Sequence, residues 1–95
     1  MNGAAETVAE RTVTIKNKWG IHARTAFTIV KSAMRFSSSI TAEKDGVVAD
    51  CKQVAELLTL AAAFGDTVAF TAKGSDSEEA LREMEALVEA KFGED

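Results

Sequence analysis

The apolar residues of this chain change period repeatedly within 95 residues, from every second position to helical spacing and back, and that switching limits the folds open to it. From Arg11 to Lys16 the pattern alternates. Val13 and Ile15 fall on one face and Thr12, Thr14 and Lys16 on the other, which predicts a half-buried strand. From Ala23 to Arg35 the spacing becomes helical, with Ala26, Ile29, Val30 and Ala33 on one face that should pack on a sheet. Ser37-Ser38-Ser39 breaks that helix and leads into a strand over about Ser39 to Lys44. Asp45-Gly46, both tolerant of positive φ, predicts a two-residue hairpin turn, and Val47 to Cys51 forms the return strand. A shorter helix follows with Val54, Leu57, Leu58 and Leu60 among its apolar positions, and Asp50 with Gln53 reads as a capping box at its start. Thr67 to Ala72 alternates again, placing Val68, Phe70 and Ala72 inward. Gly74-Ser75-Asp76 makes a turn, Asp76 with Glu79 reads as an N-cap, and Glu78 and Glu79 lie where the helix dipole favours acids. Ala80, Leu81, Met84, Leu87 and Val88 complete a last helical stripe. The order β-α-β-β-α-β-α predicts an α+β open-faced sandwich, with three helices covering one face of a four-stranded antiparallel sheet. Periodicity alone leaves the strand order open, since a ferredoxin-like arrangement has nearly the same succession of elements.

Length and composition fit one small domain that folds on its apolar core alone. Nearly half the residues (46%) are apolar, and the single cysteine, Cys51, excludes an internal disulfide. Cys51 reads most simply as a small buried residue, with a redox role as the other reading. No Cys/His cluster offers a metal site. Met1 to Glu10 has neither a basic region nor an apolar run, so it reads as a loose tail rather than a signal or an anchor. No window is long and apolar enough to span a bilayer. A net charge of −4 without a basic stripe argues against nucleic-acid binding. A reducing, cytoplasmic setting and protein partners are the expectation.

The chemistry concentrates in Lys18-Trp19-Gly20-Ile21-His22-Ala23-Arg24-Thr25-Ala26, which holds the only histidine. It lies between a strand pattern and a helix pattern, so His22 should sit at a helix N-terminus. Unpaired backbone N–H groups and the helix dipole stabilise an anion there. Arg24 adds a planar, permanently charged fork suited to phosphate oxygens. The positive helix end disfavours protonation of the ring, and a neutral ring nitrogen is a nucleophile. A plain helix cap or a solvated surface histidine is the other reading of the same spacing. Gly20 frees the backbone beside the histidine, and Trp19 is expected to cover that loop.

Gly20-Ile21-His22-Ala23-Arg24 resembles the active-site signature of the histidine-containing phosphocarrier (HPr) family of the bacterial phosphoenolpyruvate-dependent phosphotransferase system. Lys44-Asp45-Gly46 matches that family's central hairpin, Gly65 the end of its second helix, and Gly74 the turn from last strand to last helix. The resemblance runs without a gap from about Arg11 to about Phe92. It implies the strand order 1-4-2-3, a single domain over 11–95 after a tail over 1–10, and a second helix starting near Lys52 or Gln53. It also implies phosphoryl relay. Enzyme I, charged by phosphoenolpyruvate, would phosphorylate His22, on Nδ1 in the family, and His22 would pass the group to an enzyme IIA or a regulatory acceptor. Backbone amides of Ala23 and Arg24 and the Arg24 side chain would hold the phosphoryl group, and no metal or cofactor is implied.

Phe27, Met34, Val54, Ala55 and Leu58 correspond to the family's docking patch. On spacing alone, Phe27 and Met34 lie about 20° apart on the flank of their helix, as peripheral core or as a half-exposed patch. Val54, Ala55 and Leu58 could equally be core, with Leu57 and Leu60 facing inward. Thr25 replaces the family's usual proline and is expected to loosen the site. Gln53 stands where many members carry a phosphorylated serine, so no regulatory serine is available there. Asn17-Lys18-Trp19-Gly20, the Val54 to Leu60 spacing and Phe92-Gly93-Glu94-Asp95 also resemble the nitrogen-related phosphocarriers. Lys31 is retained on the partner surface, but Met34 and Glu56 occupy positions that are often basic, which weakens attraction to acidic partners. A monomer is expected. The alternative from another class is a non-catalytic regulatory module that binds partners through its apolar patch.

Overall fold

The computed structural model describes residues 7–94. Its elements are β1 (Val8–Thr14), α1 (Ala23–Ala33), β2 (Ser39–Lys44), β3 (Val47–Asp50), α2 (Val54–Leu58), β4 (Thr67–Lys73) and α3 (Ser77–Glu89), followed by a 3-10 turn over Lys91–Gly93. The strands form one antiparallel sheet in the order β1-β4-β2-β3. This is the α+β open-faced sandwich expected, in the order that periodicity alone left undecided.

Register puts the inward residues side by side. Val13 lies opposite Val68, Ala72 opposite Ile40, and Ala42 between Phe70 and Ala49. Several of these are alanines, so the helices come close to the sheet. Ile29, Leu57, Leu81, Met84 and Val88 fill the layer between, all essentially without solvent contact, and Phe70 is the largest buried side chain from the strands. Asp45 and Gly46 take φ of +51° and +83°, as the primed turn of a tight hairpin requires.

Several boundaries differ from expectation. β1 begins at Val8, so Val8, Ala9 and Glu10 pair with Lys73, Ala72 and Thr71 and are not part of a tail ending at residue 10. Residues 1–6, the rest of that expected tail, lie outside the described residues. At its other end β1 stops at Thr14, because the Ile15 N–H leaves the ladder to bond Asp66 O at 2.8 Å.

The buried stripe of α1 is Thr25, Ala26, Ile29, Ser32 and Ala33, with Val30 only half-buried. It is rotated from the expected face because two small polar residues find partners and turn inward; Ser32 Oγ donates to Glu83 at 2.9 Å. α2 starts at Val54 after Gln53, next to the Lys52–Gln53 start that the resemblance implied. The Asp50–Gln53 capping box does not form, since Asp50 Oδ1 instead accepts the Lys52 N–H at 2.9 Å. Leu57 and Leu60 face inward as expected. Gly65 does not end α2; it lies in the turn before β4, its N–H on Ile15 O at 2.9 Å. Cys51 is a free, fully buried thiol, pushed up to about 12 by burial and then by Asp50, so it stays a protonated packing residue.

Asp76 precedes α3 without capping it. Its carboxylate reaches across to the α1–β2 connection, where it accepts the backbone N–H groups of Ser37 and Ser38 at 2.9 Å each and the Ser38 hydroxyl. Those bonds, that of the Ser38 hydroxyl foremost, hold its carboxyl down to about 2. A carboxyl depressed on folding contributes stability that is complete above its unfolded value, near about 4, and is lost as pH falls through the folded value. Asp76→Asn is therefore expected to melt at a lower temperature than the parent at pH 7, and the difference should close between about pH 4 and pH 2. Thermal melts across that window check it, and a difference that persists at pH 2 would count against the assignment.

Candidate functional site

The loop from Ile15 to Ile21 is pinned on one side by the segment between α2 and β4. Gly65 and Asp66 bond Ile15, and the Ile21 N–H donates to Ala62 O at 2.9 Å. Gly20 lies between these anchors with φ of +68°. A Cβ there would run into the Ala62 carbonyl oxygen and the Ala63 backbone, so the loop needs glycine for both conformation and space. On the other side, Asn17 is wholly buried and donates from Nδ2 to Gly20 O at 2.8 Å.

This scaffold delivers His22 to the N-cap of α1 in extended backbone conformation, and its Nδ1 accepts the Arg24 N–H at 3.3 Å. Thr25 completes the cap. Its hydroxyl accepts the His22 N–H at 2.9 Å and donates to Gly20 O at 3.0 Å, while the side chain is buried. Thr25 therefore ties the histidine loop to the helix by side-chain bonds that a proline could not make. Arg24 is held apart from this framework with most of its side chain in solvent, its Nη1 3.8 Å from Glu94 Oε2. The first helical turn contains no acid to offset that positive end.

Glu94 is the site residue that sequence reasoning did not single out. Its Oε2 lies 2.9 Å from His22 Nε2, and its Oε1 accepts from Asn17 Nδ2 at 3.0 Å. Asn17, followed by His22 and Arg24, holds the Glu94 carboxyl below the usual carboxylate range. The segment after α3 turns back through Lys91, Phe92 and Gly93, all at positive φ, with the Phe92 ring buried as its anchor. No spacing rule links residues 72 positions apart; a buried aromatic followed by glycine was the available signal.

Lys18, Trp19, His22, Arg24, Gly93 and Glu94 line an open cleft. Trp19 is not a cover: it is 70% exposed, with Lys18 Nζ 5.1 Å from its ring centre. Of the expected patch residues, Phe27 lies on α1 and Met34 at its C-cap, while Val54, Ala55 and Leu58 lie on α2, a helix that packs against α1. Phe27, Met34 and Leu58 are exposed, Ala55 is exposed, and Val54 is half-buried against the core. Phe27 and Met34 are thus surface rather than peripheral core. Ala23 is exposed at the start of α1, beside the histidine.

An imidazole at a helix N-terminus with an arginine beside it is an arrangement able to receive a phosphoryl group. Residues 9–90 match the family model described as PTS HPr component phosphorylation site. Phosphocarrier protein NPr of Shewanella violacea is 41% identical over 88 residues, 93% of this chain and 97% of that protein. HPr-like protein Crh of Halalkalibacterium halodurans is 37% identical over 82 residues, 86% of this chain and 98% of that one. The crystal structure of HPr-C-His from Thermoanaerobacter tengcongensis superposes with a TM-score of 0.88 at 41% identity, covering 92% of this chain and 98% of that one. The chain belongs to the HPr family of phosphocarrier proteins of the phosphotransferase system. Among the described residues, no helix is long and apolar enough to cross a membrane.

Thr25→Val keeps the shape of the side chain and removes all of the hydroxyl's hydrogen bonds at a buried position. It is expected to lower unfolding free energy by about 1–3 kcal/mol in urea titrations, with Thr25→Ser recovering most of the loss.

Proposed function

We propose that the chain accepts a phosphoryl group on His22 Nδ1 from phosphorylated enzyme I and hands it to a histidine or cysteine of an enzyme IIA or a regulatory acceptor. The observation that carries this reading is the place of His22 itself. Its Nδ1 faces the backbone N–H groups that open α1, at 3.3 Å from that of Arg24, with the Arg24 guanidinium free to fold over the same point. An incoming phosphoryl group would meet helix-terminal donors from Ala23 and Arg24 together with a bidentate cation. Transfer between two protein side chains is near isoenergetic, and its loose transition state asks for positioning and charge rather than acid–base groups.

Phe27, Met34, Val54, Ala55 and Leu58 would bring donor and acceptor onto the same face in turn, so one small surface serves both. Gln53 leaves no hydroxyl to phosphorylate at the start of α2, which removes that route of control.

The test mixes the purified chain with enzyme I from its own source, magnesium and phosphoenolpyruvate, and follows intact mass before and after brief acid. Gain of one acid-labile phosphoryl group is expected, and none in His22→Ala. No gain, with enzyme I active on another carrier, would contradict the proposal. Arg24→Ala is expected to slow the transfer about a hundredfold. Phe27→Ser and Leu58→Ser should instead raise KM for the donor roughly tenfold and leave kcat nearly unchanged, which steady-state kinetics separate.

A further inference from the structure

Glu94 meets the imidazole on the nitrogen opposite the one turned toward α1. An ionised carboxylate only accepts hydrogen bonds, and so does Oε2 of Glu94 at 2.9 Å from Nε2; at the same time Nδ1 accepts the Arg24 N–H. Both contacts are satisfied by one neutral tautomer alone, with the proton on Nε2 and the lone pair on Nδ1. Asn17 is what makes this arrangement durable. It is buried, and its single amide group holds Gly20 O on the histidine loop and Glu94 Oε1 on the segment after α3 at once. The glutamate side chain is itself only 11% exposed, and the buried ring of Phe92 anchors its backbone.

We infer that Glu94 is a positioning residue of a Glu94–His22 dyad, which keeps the proton on Nε2 and neutralises the charge the ring acquires when Nδ1 takes a phosphoryl group. This rests on the proposed function and extends it to the far side of the ring. In the transfer, the Nδ1 lone pair gives up the long Arg24 N–H contact and forms the new N–P bond, while the P–N bond of the donor histidine breaks and returns its electron pair to the donor ring; the freed Arg24 N–H is then available to a phosphoryl oxygen. No proton need leave His22. The ring becomes a cation, its Nε2–H stays on Glu94, and the pair is reversed when the phosphoryl group departs to an acceptor. The logic is that of a carboxylate that orients a catalytic histidine and stabilises its imidazolium. Among the described residues, the other charges facing the pair are Arg24, 3.8 Å from Glu94, and Lys18, which lines the same cleft. Both are cations, so among the described residues Glu94 is the one anion lining the cleft that can offset the ring's charge.

The test uses the full chain with 15N-labelled histidine, as parent, Glu94→Gln and Glu94→Ala. In the unphosphorylated parent, proton–nitrogen correlation should show a hydrogen-bonded, slowly exchanging proton on Nε2 and a bare Nδ1. Glutamine, which still accepts through its oxygen, should retain that signal, and alanine should lose it while the backbone spectrum stays folded. The equilibrium with phosphorylated enzyme I should shift toward the donor by roughly tenfold in Glu94→Ala and by less in Glu94→Gln. An Nε2 proton exchanging equally fast in parent and alanine variant, or a transfer equilibrium indifferent to the substitution, would overturn the dyad. The first spectrum needs no phosphoryl donor. Failure of the relay and failure of the dyad are therefore separate results.

Discussion

The site depends on one close backbone approach, that of Gly20 and Ile21 to the carbonyl of Ala62. The Ile21 N–H bonds that carbonyl at 2.9 Å, and Gly20 passes it so closely that no side chain fits. This contact joins the loop after β1 to the loop before β4, two strands that already pair along their whole length. Sheet pairing thus fixes one end of the histidine loop, and the N-terminus of α1 fixes the other. Between these supports His22 has little freedom, and Thr25 and Asn17 remove most of what is left by bonding Gly20 O from two directions. A catalytic group held by packed, hydrogen-bonded neighbours loses little entropy when it reacts.

The exposed side chains lie outside this bonded framework. Arg24 is largely in solvent, and in the proposed transfer its guanidinium would follow the phosphoryl group. Phe27 and Leu58, on α1 and α2, and Met34 at the end of α1 are exposed as well. The hydrogen-bonded half of the site sets the ring's orientation; the exposed half is the part proposed to meet a partner. Glu94 belongs to the first half although it comes from the far end of the chain. Its side chain meets the ring at Nε2, while Nδ1 accepts the Arg24 N–H at the start of α1.

Period-two and helical spacing made most of this fold legible. Val13, Val68, Phe70 and Ala72 alternate because they line a sheet with one covered face, and the α3 stripe shows because it is apolar throughout. The rotation of α1 was not legible, since Thr25 and Ser32 are buried through hydrogen bonds that a hydropathy pattern counts as surface. Asp76 misled for a related reason. Its position at a helix start suggested a local cap, whereas its partners lie in a loop nearly forty residues earlier. At the site, His22 and Arg24 were legible from local spacing, as both belong to one helical turn. Glu94 was not, because its contact with His22 exists only once the whole sheet and α3 have formed. Trp19 was expected to cover its loop and points into solvent beside Lys18.

The chain's central chemical claim is that phosphate is carried on Nδ1 of His22, the nitrogen facing α1, with Nε2 reserved for Glu94. Phosphorus–nitrogen coupling measured on the phosphorylated chain with 15N-labelled histidine reads this directly. The account predicts a phosphorus coupled to Nδ1 and a proton still bound at Nε2. A phosphorus coupled to Nε2, with Nδ1 unsubstituted, would contradict both the orientation of the ring and the role given to the helix N-terminus.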